Sequence, residues 1–458
     1  MKLSPRIAQY TFGLSDAQLD AAIAVTPKPI DLQGAGAADG SELLGDALRA
    51  VFHPDKQIRE ILRRFMSLAK AHAMYHFDTD EKYIAGLYSR TPWGTKRPPA
   101  ICFTGPAGVG KTEILYALAR LLTRTGTFSV EGHRNIPLVA SWAMTLAKGD
   151  GLNQLLRGHV EPPSAQLRDG RLHEAGEETA STKAWKIPDL LRAAERMSWR
   201  GATCLAPIDE FQWIAAGSSA NARAATVLLK LHGIGPLLIF CSNYSLVNKL
   251  KGRPQEDRDR LLTSPVVLEP LVADDADWTA YLSALRLVAP NALVFDPQRD
   301  GDKVHLYTFG IKRKVVDLIV VAYLMARRRG ASATVGAGEL VRAYQSADYA
   351  MHRDDVETLI RQQVTGKMER EDLWCPFAPA RTAVSNVEKA DPIVKSFEKR
   401  TEEAILAAAL TPAEAAAHKE IKSDAPANKN PAKVLRFRPQ KVTKESLLAG
   451  AAALDEIE

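Results

Sequence analysis

PAICFTGPAGVGKTEILYALARLL, residues 99–122, decides the fold. It reads as a buried strand, a glycine-rich loop and a helix. The loop, Gly105-Pro106-Ala107-Gly108-Val109-Gly110-Lys111-Thr112, is a complete G-x-x-x-x-G-K-[ST] phosphate-binding signature. Its glycines let the main chain adopt positive φ and approach a ligand closely. Successive N–H groups then face one concavity, and the helix that follows adds its positive dipole end. In this pattern Lys111 reaches the β/γ-phosphates, Thr112 holds Mg²⁺, and Glu113 follows on the first turn of the helix.

A phosphate loop needs acids. ATCLAPIDEFQW (202–213) supplies them: an apolar strand ending in Asp209-Glu210. About 100 residues after a phosphate loop, with helix and strand between, Asp209 fits a Mg²⁺ ligand and Glu210 the group that polarises an attacking water. Pro207 inside this strand is unusual, because proline donates no ladder hydrogen bond. PLLIFCSNYS (236–245) is another buried strand, with Asn243 at its carboxyl end, where ligands of α/β sheets bind. Arg253, Arg258 and Arg260 precede a last core strand, VVLEPL. Arginine suits a finger that stabilises a transferring phosphoryl group, often from a neighbouring subunit, with Arg260 preferred and Arg258 next.

The chain has 458 residues, 46% hydrophobic and 25% charged, as expected for a soluble protein of roughly two to four domains. Its net charge of +6 permits nucleic-acid binding without requiring it. Cys102, Cys204 and Cys241 fall in apolar strands, and no C-x-x-C occurs, so reduced core thiols are expected rather than a metal site or disulfides. The N-terminus has no signal-peptide apolar region, and the longest apolar run, VVDLIVVAYLMA, is short and broken by Asp317. A cytoplasmic protein without membrane contact is expected.

The chain divides by composition. Residues 1–50 read as a loose arm with one short helix capped by Ser15 and a flexible linker at 31–42; docking to a partner is the alternative use. Residues 51–98 are a helical lead-in, with His72 and His76 on a helix surface. Residues 99–272 form the α/β core, a parallel sheet flanked by helices, with IPLVASW (136–142) as its second strand. The polar stretch 161–186 is too long for an ordinary connection. Residues 273–365 are all helical, a small lid whose second helix opens with Gly310-Ile-Lys-Arg313, so that Arg313 leans back over the phosphates. Residues 366–458 read as a basic, largely disordered tail with short helices, one with a Thr411 capping box; docking to a partner is the first use expected of it, nucleic-acid contact or an inert linker the alternatives.

Phosphate loop, D-E strand, strand-end asparagine, arginine before the last strand and G-x-x-R lid, in that order, resemble the AAA+ ATPases. IDEFQWI, IFCSNYSLVNKL and RPQEDRDRLLTSPVVLEPL are similar to the transposition regulators of the TnsC/TniB family, relatives of MuB and of the origin-binding initiators. The resemblance covers about residues 50–365. It implies ATP and Mg²⁺ as cofactors, Asn243 as sensor 1, Arg258 or Arg260 as the finger, and Arg313 as sensor 2. It implies a homo-oligomeric ring or helical filament on double-stranded DNA that marks a target site for a transposase on behalf of a target-selection protein. Loops after the second core strand touch DNA in such relatives; Lys148 and Arg157 match, then Arg168 and Arg171. Phosphate contacts of this kind are salt-sensitive and nearly sequence-independent. A protein remodeller is the less favoured alternative, because AKGDGLNQLLRGHV has no aromatic pore-loop residue. An origin-initiator or helicase-loader is another, although no DNA-binding module is evident after residue 366.

Overall fold

The computed structural model describes residues 3–11, 13–95, 97–122, 126–145, 151–160, 185–211, 220–330 and 332–377. Three helices lead: α1 (Pro5–Ala8), α2 (Asp16–Ile23) and α3 (Ala37–Arg49). α4 (Lys56–Phe77) and α5 (Asp80–Leu87) precede β1 (Ile101–Thr104) and α6 (Lys111–Leu122). A hairpin of β2 (Gly126–Val130) and β3 (His133–Leu138) follows, then β4 (Met144–Thr145), α7 (Leu152–Val160), α8 (Ile187–Arg200) and β5 (Leu205–Asp209). α9 (Ala220–His232), β6 (Leu237–Ser242), α10 (Tyr244–Lys251), α11 (Gln255–Leu261) and β7 (Ser264–Val267) complete the core. The lid is α12 (Ala276–Arg286), α13 (Pro297–Thr308), α14 (Lys312–Arg329), α15 (Ala337–Gln345) and α16 (Ala350–Thr365).

The sheet has five strands in the order β4-β5-β6-β1-β7, and every pairing is parallel. Alternate residues of each strand serve opposite faces. Ile101 and Phe103 join a core with α4 and α6, whereas Ala100 and Cys102 join one with α7, α8 and α9. Both faces are covered, which is why β1, β5 and β6 are apolar without alternation. All strands present their carboxyl ends to one edge, where the phosphate loop leaves β1.

Pro207 has a structural reason. Leu205 accepts from the Trp142 N–H at 2.9 Å, so residues 205, 207 and 209 turn their main chain toward β4, the edge strand. The missing donor of Pro207 therefore falls in the gap between the Ser141–Leu205 bridge and the Met144–Ile208 pair. The edge ladder is short there, and no central hydrogen bond is lost.

Several expectations are corrected. IPLVASW is not one strand: Ile136–Leu138 pairs with β2 in the hairpin, and only Ser141 and then β4 reach the sheet. The linker expected at 31–42 is helical from Ala37, because Leu44 and Leu48 bury one turn apart against lid residues such as Leu318 and Tyr323. The arm is not loose. Tyr10 is 1% exposed; its hydroxyl accepts from the Cys204 N–H at 2.8 Å and shares its single proton between the Ala140 and Ala202 carbonyls, 2.6 and 2.9 Å away. The Ser15 cap of α2 is present as a reciprocal capping box with Gln18. His72 and His76 are buried rather than on a surface, packed among Trp93, Trp199 and Phe77, with His72 stacked on Trp93 at 5.2 Å. An unforeseen helix, α13, makes the helix opened by Lys312 the third of the lid rather than the second. Cys102, Cys204 and Cys241 are buried and unbridged, and no metal-binding cluster occurs among the described residues. No described helix is long and apolar enough to cross a membrane.

Past Gly366, which caps α16 in the left-handed region, residues 367–377 run back to α10. The Asn248 side chain donates to the Glu371 carbonyl, Lys251 to the Pro376 carbonyl, and Phe377 packs on the α8–α9 face of the core. The first part of the expected disordered tail is thus docked. Residues 378–458, the Thr411 capping box among them, and 161–184 of the long polar stretch lie outside the described residues.

Candidate active site

The loop between β1 and α6 is built from behind. Thr104 donates to the Ser242 carbonyl at 3.0 Å, tying β1 to β6 just before the chain leaves the sheet. A Cβ on Gly105 would lie 2.4 Å from the Leu268 carbonyl oxygen, so only glycine fits there. Val109 turns into the core and anchors the loop. Gly108 (φ 80°) and Gly110 (φ 111°) adopt the left-handed conformations that the turn into α6 requires.

A cavity of about 520 Å³ opens on this loop. Ala107, Gly108, Gly110, Lys111, Thr112 and Glu113 line it from the loop side, Asp209 and Glu210 from the end of β5, Asn243 from just past β6, and Arg313 from the lid. Gly105, Pro106 and Val109 shape the loop rather than line the cavity. Lys111 is 8% exposed, and its Nζ donates to the Gly105 and Pro106 carbonyls and to Asn243 Oδ1, each at 2.9 Å. Burial lowers its pKa, opposed by Cys241 and Asp209. Asn243 is the N-cap of α10, yet its side chain makes no capping bond. Its oxygen serves Lys111 instead.

Asp209 is buried; Oδ1 accepts from the Glu210 N–H at 2.8 Å, and Oδ2 has no partner. An orphaned buried carboxylate oxygen on a cavity that Thr112 also lines fits a hard divalent cation such as Mg²⁺. Glu210 sits at φ 55°, a left-handed conformation costly for a glutamate, which turns its side chain to the cavity wall. Burial raises the pKa of Glu113 and of the Cys241 thiol, both of which line the cavity.

Arg313 arrives from the lid. Its main-chain N–H donates to the Gly108 carbonyl at 3.0 Å, and a Cβ on Gly108 would lie 2.7 Å from the Arg313 Cβ. The lid therefore rests directly on the loop. The expectation had not included the opposite wall: Leu48, Val51, Phe52 and His53 before α4, with Tyr281, Val316 and Asp317 of the lid. No motif marks these positions in the sequence. Apolar walls of this kind suit a base and ribose, while the loop suits phosphates.

Residues 83–240 match the family model described as the AAA ATPase domain. This is an AAA+ P-loop fold. The match spans the phosphate loop and the Asp209-Glu210 strand and ends inside β6. The structure is similar to the Orc1 protein of Aeropyrum pernix in complex with DNA, at 17% identity, covering 63% of this chain and 68% of that one, with a TM-score of 0.36. It is similar also to C. elegans PCH-2, at 11% identity, covering 67% and 72%, with a TM-score of 0.35. No curated protein matches the sequence.

The remaining expected residues lie elsewhere. Arg258 and Arg260 are exposed on α11, away from the cavity of their own chain, while Arg253 is held by Asp257 at 3.1 Å. Arg157, expected on a DNA-facing loop, is 8% exposed on α7, with Nε donating to Asn153 Oδ1 at 3.1 Å. Its neighbours Leu155 and Leu156 bury into the core, which carries the guanidinium inward. Lys148, Arg168 and Arg171 lie outside the described residues.

Proposed function

We propose that this chain is a DNA-bound ATPase that regulates transposition. It assembles as a homo-oligomer on double-stranded DNA, links a target-selection protein to a transposase, and comes apart when ATP is hydrolysed. The observation that carries the ATPase part is the convergence of Lys111, Asp209, Glu210, Asn243 and Arg313 on one cavity. The DNA and transposition parts are supported by the sequence resemblance at the D-E strand, the asparagine strand and the α11 region.

In this reading Lys111 leaves the Gly105 and Pro106 carbonyls for phosphate oxygens, an exchange of one set of charge-assisted hydrogen bonds for a stronger one. Thr112 and Asp209 would hold Mg²⁺, which neutralises phosphate charge. Glu210 orients the attacking water and accepts its proton, and Asn243 fixes that water or the γ-phosphate. Arg313 binds phosphate from the lid, and Arg260 or Arg258 of a neighbouring copy stabilises the charge of the transition state.

Glu210→Gln should lower turnover by about 10²–10⁴-fold and leave ATP binding intact. Unchanged turnover refutes the assignment. Co-sedimentation with duplex DNA at low salt, with a non-hydrolysable ATP analogue, should succeed and weaken steeply as salt rises. Absence of co-sedimentation at low salt refutes the DNA assembly.

A further inference from the structure

Beside the phosphate loop, lid and core also meet at the first turn of α4. Asp55 caps that helix, its Oδ1 accepting the Ile58 N–H at 2.8 Å. Its other oxygen accepts Lys312 Nζ from the lid at 3.0 Å, and its side chain is only 5% exposed. The next residue, Lys56, donates its main-chain N–H to Asp277 Oδ2 of α12 at 2.8 Å. Lys312 adjoins Arg313, whose N–H rests on the Gly108 carbonyl. Lys312 itself lines the cavity, whereas Asp55 does not.

We propose that Asp55 and Lys312 are a clamp that holds the lid at the angle from which Arg313 meets the phosphate loop. Asp55 is thus a positioning residue, acting on bound nucleotide through the lid and without touching it. One end of the pair is fixed to the core by the α4 cap, and the other precedes the lid arginine by a single residue. The pair on the other side of Arg313, Lys314 with Asp355 at 2.7 Å, joins two lid helices and so cannot tie the lid to the core. A lid released from the clamp samples open orientations, and apparent affinity falls in proportion to the fraction of lid that remains closed.

This inference rests on the ATPase reading only for its functional consequence, so two measurements are needed. The first uses no nucleotide. Distance distributions between spin labels at the exposed Tyr75 of α4 and Met351 of α16 should be narrow in the native protein and broad in Asp55→Asn and Lys312→Met. Asparagine keeps the cap of α4, so the Asp55 variant retains its fold. Identical distributions in all three proteins overturn the clamp. The second is ATP affinity. Each single variant should weaken it about tenfold, the double variant no further, and Lys312→Arg should restore it to within about twofold. An unaffected Asp55→Asn, or a double variant weakened by the product of the two, overturns the clamp. A native protein that binds no ATP refutes the ATPase reading instead and leaves the first measurement to decide the clamp.

Discussion

The two halves of the cavity were made by different rules. The half that the proposal assigns to phosphate is carried by the loop and the ends of β5 and β6, and its residues are those that phosphate chemistry demands: a lysine, a hydroxyl, two acids and an amide. The opposite half is carried by residues 48–53 and the lid, and much of it is ordinary core material. Leu48, Phe52 and Val316 are at most 5% exposed and pack with their neighbours as they would in any interior. Chemistry at a phosphate tolerates few residue types at fixed spacing, so it writes a motif. An apolar wall tolerates many and writes none. The site therefore joins a half constrained residue by residue to a half constrained mainly by shape.

The contrast can be broken most sharply at Lys111. If Lys111 holds phosphate as proposed, Lys111→Ala removes several charge-assisted bonds, and affinity for ATP and for tripolyphosphate alike should fall by about 10²–10³-fold in calorimetric titration. A loss confined to ATP would mean that the lysine does not serve the phosphates. Arg313→Ala comes next: about 2 kcal/mol of phosphate contact, or about 30-fold in affinity, again for both ligands. If only turnover changes, the arginine acts solely in the transition state. Val316→Ala tests the other half. It should weaken ATP about fivefold, about 1 kcal/mol of lost apolar contact, and leave tripolyphosphate binding unchanged. An equal effect on both ligands would erase the distinction between the halves.

The smallest effect concerns the ground beneath the phosphate half. Burial lowers the pKa of His72 to about 4 and of His76 to about 3, against 6.5 for a free histidine. Between those values and 6.5 the unfolded chain takes up protons that the folded chain refuses. Stability is therefore complete above pH 6.5 and declines as pH falls toward 4. Denaturant midpoints should drop between pH 7.5 and pH 5, and His76→Phe should shed part of that drop. A midpoint independent of pH would show that the two rings are not held neutral.

How much of this was legible follows from the same division. The strand–loop–helix, the D-E strand and the strand-end asparagine were readable because each joins an apolar run to a chemically obligatory residue. Arg313 was readable from G-x-x-R, although α13 went unseen: PQRDGDKVHLYT is polar, and only Val304 and a few small residues bury. The arm was misread because glycine and alanine at 34–40 look like a linker, while the residues that fasten it, Tyr10, Leu44 and Leu48, are sparse. His72 and His76 were misplaced because their partners, Trp93 and Trp199, lie far along the chain. Arg157 was placed outside by its position after the second core strand, where the resembled family touches DNA. A helix with three apolar neighbours, Leu155, Leu156 and Val160, pulls it under.

The buried core around α4 and α6 draws side chains from Ile7 to Leu268. The segment 83–240 that matches the ATPase model holds only part of it. A gene fragment trimmed to that match would lose α4, Tyr10 and β7, and would leave β1 as a naked edge carrying an uncovered apolar face. Recombination that shuffles this ATPase must therefore carry the arm with it. The side chains that pack into the two faces of the sheet run from Ile7 in the arm to Phe377 beyond the lid.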